Sequence, residues 1–310
     1  MARLVGLKPS ELENIAHHAS GLYRVASRRR KADGTVRETF DAYPDLKRIQ
    51  RSIKKRILDQ VVHPHYLFGG IKRRDAARNA AEHVGSRVKI SCDIARFFDS
   101  VNEASIYDIW RGFFNFPHEV AEILTKLTTR YGALAQGSIT SSGLANLLFF
   151  RDEPSLVAHL EGLGIRYSRF VDDIDCSSTR PLRPPERAHI ERVIAKMVRK
   201  HLLSLKDQKR RLQFSSERLI TTGLVVNRRV AVPRSRRCQI RAEVHKLEAS
   251  LETSGCLGQA GAEIPRLSGL VAYLWRFHPR EARLLRGRLD DAVADLASRS
   301  DAALPGAICN

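Results

Sequence analysis

The sequence predicts an α+β fold for this chain of 310 residues. Three observations carry the prediction. Val88, Ile90, Cys92 and Ile94 alternate with Lys89, Ser91 and Asp93, the period of two of a strand. Arg166 to Cys176 reads as a β-hairpin with Val171-Asp172-Asp173 at or beside its turn. Apolar residues at helical spacing surround both, as in Ile49, Ile53 and Ile57, and strands interspersed with helices point to α+β.

Taken in order, the first sixty residues read as mainly helical, interrupted by a basic hairpin signal at Lys31-Ala-Asp-Gly-Thr-Val-Arg37. A helix is expected from Pro44 to about Val62, after which His63-Pro-His65 and Gly69-Gly70 break the chain. Asp75 to Val84 reads as helix. The strand over Val88 to Ile94 then places Asp93 on the face opposite its apolar set, holding a carboxylate out of the core on a rigid element. Helices are expected over Glu103 to Thr128, Ser141 to Glu161 and Glu186 to Leu205, the last opened by Pro185. A second hairpin spans Leu219 to Val232, bending at Asn227-Arg228-Arg229. The last eighty residues read as helical, with Gly255 to Gly261 as a hinge and Arg234 to Leu251 as a basic amphipathic helix.

Charge narrows the partners. Fifty-three Lys and Arg stand against 34 Asp and Glu, a formal net charge of +19, and a polyanion such as nucleic acid accounts for such an excess. The basic residues fall in runs along the chain (Arg28 to Lys31, Lys47 to Arg56, Lys206 to Arg211, Arg234 to Arg241), which suggests a groove tracking a phosphate backbone. The five cysteines are odd in number and lack CxxC spacing, so neither a disulfide framework nor a zinc site is expected. The N-terminus lacks the apolar core of a signal peptide and no stretch is long enough to span a membrane. The reading is a soluble protein of a reducing compartment.

The chemistry lies in three carboxylates, Asp93 at the end of one strand and Asp172 and Asp173 in a hairpin. An Asp-Asp pair alone is commonly a solvated turn. This one is flanked by Tyr167, Phe170, Val171 and Ile174, and a strand between apolar neighbours does not carry carboxylates unless a cation offsets them. Hard oxygen ligands suit Mg²⁺, and two such ions serve an in-line phosphoryl transfer.

Four segments then resemble, in order, the motifs of reverse transcriptases. Asp93-Ile-Ala-Arg-Phe-Phe-Asp-Ser100 resembles their first catalytic motif. Gln136-Gly-Ser-Ile-Thr-Ser141 is similar to the Gln-Gly loop that packs on the incoming nucleotide. Phe170-Val-Asp-Asp173 resembles Tyr-x-Asp-Asp, and Thr222-Gly-Leu-Val-Val-Asn227 the primer-grip hairpin. Asn79-Ala-Ala-Glu-His83, Phe68-Gly-Gly-Ile-Lys-Arg-Arg74 and the stretch Arg37 to Gln50 resemble elements of bacterial retron reverse transcriptases, as does the size of the chain, which leaves no room for an RNase H or integrase domain. The sequence departs from the pattern at Phe170 (usually Tyr), Val171 (Ala), Ser142 (Pro) and Thr221 (Val), none of them a metal ligand.

The resemblance implies a right-hand polymerase with an antiparallel palm sheet: N-terminal helices and fingers over residues 1–87, palm over 88–230 and helical thumb over 231–310. It implies that Asp93, Asp172 and Asp173 are catalytic and hold two Mg²⁺ ions, with Mn²⁺ as a substitute and the Ile94 carbonyl assisting. Lys31, Arg37, Phe98, Gln136, Gly137 and Lys209 would contact the nucleotide, Phe98 under the sugar and Lys209 near the triphosphate. Phe97 and Phe98 read equally as core, of which at most one need be. Asn79 and His83 would contact RNA or shape that contact by packing, and Arg236, Arg237 and Arg241 would bind RNA. Trp275 reads as a base-stacking residue or, in preference, as core packing. The implied partners are deoxynucleoside triphosphates, a cognate noncoding RNA, its DNA product and a separate effector protein, in the bacterial cytoplasm and with no membrane. A group II intron or diversity-generating enzyme, an abortive-infection polymerase and an RNA-binding scaffold for a toxin stay open as alternatives.

Overall fold

The structure, a computed structural model, describes residues 2–30, 34–206, 211–254 and 257–302. The fold is mixed α and β. It divides into two compact units, residues 1–222 and 223–310.

The first unit opens with the short helix Ala2–Val5 and helix Pro9–His18, then an antiparallel ribbon of β1 (Tyr23–Arg30) and β2 (Val36–Ala42), paired from Tyr23↔Ala42 to Arg30↔Val36. The hairpin signal in the sequence falls here, though the paired strands reach further into the expected helical stretch than its short flanks implied. The β-forming Val25, Val36, Thr39 and Phe40 favour the ribbon, and the tip residues 31–33 lie outside the described residues. Helix Pro44–Arg56 has proline in its first turn, where the missing N–H costs nothing, and buries Leu46, Ile49 and Ile53. Gln50 is buried with them. Its amide nitrogen donates to the Tyr23 hydroxyl (2.7 Å) and the Leu127 carbonyl (2.9 Å), and its amide oxygen accepts from Ser138 (3.0 Å). All its polar atoms are thus used inside the core, tying the ribbon to later segments.

The main sheet has five strands: β3 (Leu67–Phe68), β4 (Val88–Asp93), β5 (Arg166–Phe170), β6 (Asp173–Ser178) and β7 (Arg211–Phe214), in the order β3-β5-β6-β4-β7. The pairs β5–β6, β6–β4 and β4–β7 are antiparallel. β3 joins β5 in parallel, so the sheet is mixed and not purely antiparallel as expected. Neither face of β4 is solvated. Ile90 and Cys92 are buried on one side, and on the other Lys89 is 1% exposed. Its ammonium is satisfied by Ser91 (2.5 Å), Asp175 (2.6 Å) and the Ile220 carbonyl (2.8 Å). The alternation in the sequence therefore marks a buried ionic network, not an outward face.

Several expected helices are shorter. Glu103–Asp108 passes through a wide π turn, Ile109–Phe113, before His118–Thr128 begins after Pro117. Ser141–Leu147 and Glu153–Gly162 are separate, the second opened by Pro154. Prolines mark both restarts because they suit a first turn and not an interior. Ala76–Ala81 is capped by Asp75, whose carboxylate accepts the Arg78 N–H at 2.9 Å. Helix Pro184–Lys200 completes the helices of this unit.

In the second unit, Val225 and Ala231 exchange both backbone hydrogen bonds (2.8 and 3.0 Å) around the bend at Asn227-Arg228-Arg229. Helices Arg234–Ser254, Leu257–Trp275 and Pro279–Ala302 follow, burying Ile240, Val244, Leu267, Val271, Leu285 and Leu289. Of the expected hinge, Gly255 and Cys256 lie outside the described residues, and the chain is helical from Leu257. Among the described residues no helix is long and apolar enough to cross a membrane.

Candidate active site

Strand pairing assembles the acidic residues. Asp93 ends β4 and lies opposite Asp173, the first residue of β6. Because Phe170 pairs with Asp173, only Val171 and Asp172 join β5 to β6. The Ile94 N–H donates to the Asp172 carbonyl at 3.1 Å and fastens this turn to the end of β4. Asp93 is 5% exposed, Asp172 is half-buried and Asp173 is exposed.

Burial pushes the Asp172 carboxyl above its ordinary range, and the charge of Asp93 pushes the same way. A hydrogen bond to backbone and the charges of Arg37 and Lys206 pull it back. Arg37, on β2, is thus electrostatically within reach of the turn. Lys206 braces Asp93 twice: its N–H donates to the Asp93 carbonyl (2.8 Å), and its ammonium lies 3.0 Å from Oδ1.

Among the described residues no three Asp, Glu, His or Cys side chains converge as a ready-made metal cluster. Mg²⁺ asks for less: one or two protein carboxylates, with waters and substrate phosphates completing its shell. A buried carboxylate beside a half-buried one, whose ionisation it opposes, fits a hard divalent cation.

The turn itself is strained and held. Val171, β-branched, sits at φ +62, a region such residues avoid. A Cβ at Gly69 would come within 2.7 Å of Val171 Cγ2 and 3.1 Å of the Phe170 ring, so only glycine lets the segment after β3 lie on the turn. The Gly69 carbonyl in turn accepts from Asn146 at 2.9 Å. On the inner side, the guanidinium of Arg169 donates to the Val171 carbonyl at 3.0 Å.

The Gln136-Gly137 loop rests on β2. The Phe40 N–H donates to the Gln136 carbonyl (2.7 Å), and Gly137, at φ +97, has the Phe40 oxygen 3.0 Å from where a Cβ would stand. This brings the loop to the strand that carries Arg37. Of the two phenylalanines after β4, Phe97 is buried and stacked on Phe149, with centroids 6.5 Å apart, while Phe98 is only half-buried. Lys31 and Lys209 lie outside the described residues.

Of the two readings of Asn79 and His83, RNA contact or packing, burial agrees with packing. Asn79 and His83 are both buried. The His83 ring bridges Ser177 (2.8 Å) and Ser168 (2.7 Å), and burial lowers its pKa to about 4. A neutral imidazole accepting on one side and donating on the other locks β5 to β6. These two shape the fold by packing and offer no polar edge to a ligand.

In the second unit, Arg237 and Arg241 both pair with Glu281 (2.6 and 3.3 Å), and Arg236 bonds to Gln239 at 2.7 Å. Their guanidiniums are partly exposed but already engaged. Trp275, expected in the core, is 45% exposed, with the Arg283 guanidinium 5.9 Å from its ring centre. Sequence reasoning passed over Arg169, Glu153 and the bracing role of Lys206. A charged residue inside Tyr167-Ser-Arg-Phe-Val171 was the available signal, since a strand between apolar neighbours buries an arginine only with a partner.

Known proteins similar to this chain include several retron reverse transcriptases. The retron Se72 reverse transcriptase of Salmonella heidelberg is 32% identical over 229 residues, covering 73% of this chain and 60% of that protein. The retron Ec48 reverse transcriptase of Escherichia coli is 27% identical, covering 88% of this chain and 70% of the relative. The retron Mx162 reverse transcriptase of Myxococcus xanthus is 26% identical, covering 94% and 66%. The chain thus spans 60–70% of the length of these relatives. Apo telomerase from Candida tropicalis, truncated from its C-terminal domain, superposes with a TM-score of 0.41 at 12% identity, over 61% of this chain and 44% of that one. No family model matches the sequence.

Proposed function

We propose that this chain, a relative of the retron reverse transcriptases over most of its length, is an RNA-directed DNA polymerase. The observation that carries the reading is the meeting of Asp93 and Asp172 at the joined ends of β4 and the β5–β6 turn, with Asp173 opposite Asp93. In this reading residues 1–87 form helices and fingers, 88–230 the palm and 231–310 the thumb.

Asp93 and Asp172 would hold two Mg²⁺ ions, or Mn²⁺ in their place, with the Ile94 carbonyl and Asp173 in support. When bound, such a pair of ions stabilises the attacking and leaving oxygens of phosphoryl transfer. Lys206 offsets the charge of Asp93 before substrate arrives. Arg37, with Lys31, draws the triphosphate of a deoxynucleotide toward the carboxylates. The Gln136-Gly137 loop packs on the nucleotide from β2. Phe98 sits under the sugar, where its ring excludes a 2′-hydroxyl. Lys209 would donate a proton to pyrophosphate or bind phosphate as a surface lysine. Arg236, Arg237 and Arg241 engage the RNA backbone, within a cationic protein of net charge +19 that suits such a partner.

The template would be part of a cognate structured noncoding RNA. Synthesis would start from a guanosine 2′-hydroxyl, giving branched RNA–DNA in the bacterial cytoplasm, and would serve antiphage defence with a separate effector protein. Extraction of the nucleic acid that copurifies with the protein from its native host tests this. Short DNA joined to RNA in the wild type and missing from Asp172→Asn is the expected result. RNA alone in both overturns it, and DNA without an RNA branch refutes the priming step.

A further inference from the structure

We infer that the buried Arg169–Glu153 pair is a positioning device that sets the Val171-Asp172 turn for metal binding. The inference rests on the carboxylates being the metal-holding groups of the proposed polymerase.

The geometry is specific. The two side chains are 0% and 2% exposed. Arg169 Nε donates to Glu153 Oε1 at 2.6 Å and Nη2 to Oε2 at 2.8 Å, a two-pronged pair that uses one edge of the guanidinium. Its remaining hydrogens go to three carbonyls: Val171 (3.0 Å), Ala145 (3.3 Å) and Asn146 (2.9 Å). Glu153 is held in turn by the Tyr167 hydroxyl, which donates to Oε1 at 2.7 Å. One planar cation therefore joins the catalytic turn to the end of helix Ser141–Leu147 and the start of helix Glu153–Gly162.

A buried ion pair is a poor choice for stability alone, because apolar side chains of the same volume do as well or better. What an apolar pair cannot do is grip the carbonyl of Val171, one peptide before Asp172. That grip is needed because Val171 is strained at φ +62 and would relax if released. Gly69 closes the turn from the opposite side, with Asn146 linking the Gly69 carbonyl to the same helix end. Release of the turn would move the Asp172 backbone, which Ile94 holds against β4 at 3.1 Å.

Mn²⁺ binding by electron paramagnetic resonance, titrated on the purified full chain, tests this without relying on turnover. Arg169→Lys keeps the charge and loses the fork. It is expected to bind Mn²⁺ roughly 10–100-fold more weakly, the usual cost of removing a group that orients a metal ligand. Its affinity for RNA, measured below its melting temperature, should stay near wild type, while the melting temperature falls because buried carbonyls lose donors. The double variant Arg169→Met/Glu153→Leu leaves no unpaired buried charge and should show the same loss of Mn²⁺. A folded variant of either kind with wild-type Mn²⁺ affinity overturns the inference. So does failure of both to fold, which would make the pair purely structural, or a wild type whose Mn²⁺ binding is unchanged by Asp172→Asn. Wild-type protein that binds Mn²⁺ at Asp172 but incorporates no deoxynucleotide on RNA instead removes the polymerase reading, and the titration still judges the positioning role.

Discussion

His83 shows how burial alone sets a residue's chemistry. Its imidazole is neutral between Ser168 and Ser177, with burial outweighing the upward pull of Asp175 and lowering the pKa from 6.5 to about 4. As pH falls below 6.5 the unfolded chain takes up this proton first. The stability His83 contributes is therefore whole above pH 6.5 and is lost as pH falls toward 4, a loss of about 3 kcal/mol across the window. His63, also lowered to about 4, acts in the same direction. Urea unfolding at a series of pH values should thus show His83→Gln with a shallower acid slope than wild type; parallel slopes would contradict the assignment. At this scale the sequence was legible where signals are local. An Asp-Asp pair among apolar residues and a strand ending in Asp93 needed no long-range information. Arg169 and Glu153 are sixteen positions apart on different elements, so only the fold brings them together. Contact and packing both stayed open for His83 because a histidine's burial is not written in its neighbours.

Among elements, the close approach of Gly69 to the Val171-Asp172 turn makes a sharp prediction. Gly69→Ala places a methyl 2.7 Å from Val171 Cγ2 at φ +78, whereas Gly132 has the same φ and open space around it. Both substitutions strain the backbone, but only the first adds a clash. Gly69→Ala should be destabilised by about 1–3 kcal/mol more than Gly132→Ala, and should lose polymerase activity while Gly132→Ala retains it. Equal stabilities in a urea titration would contradict the packing account. The strands that carry Asp93 and Asp173 were legible from period and composition, and so was helix Pro44–Arg56. β3 was not, since its two residues are too short to show a period, and its parallel pairing with β5 depends on the glycines that follow it. The wide turn at Ile109–Phe113 was hidden for another reason: Ile109 and Trp110 keep apolar spacing through a change of helical pitch.

For the whole molecule, charge was the broadest signal and identifies a class of partner, not a particular RNA. The account predicts RNA binding that weakens at least about 100-fold between 50 and 200 mM salt, as expected when several phosphate contacts release counterions. Neutralising Arg236 should reduce the salt slope by about 0.9, and neutralising Arg237, already spent on Glu281, by less. A salt-insensitive affinity would remove the backbone-tracking groove. The central claim is that the paired ends of β4 and the β5–β6 turn form a polymerase centre. Its most direct test is incorporation of labelled deoxynucleotide on a primed RNA template with Mg²⁺, comparing wild type with Asp172→Asn. The account predicts extension by the wild type and a fall of roughly a thousandfold or more in the variant, about 4 kcal/mol of barrier. Extension by Asp172→Asn at the wild-type rate, or none by either protein, would contradict it.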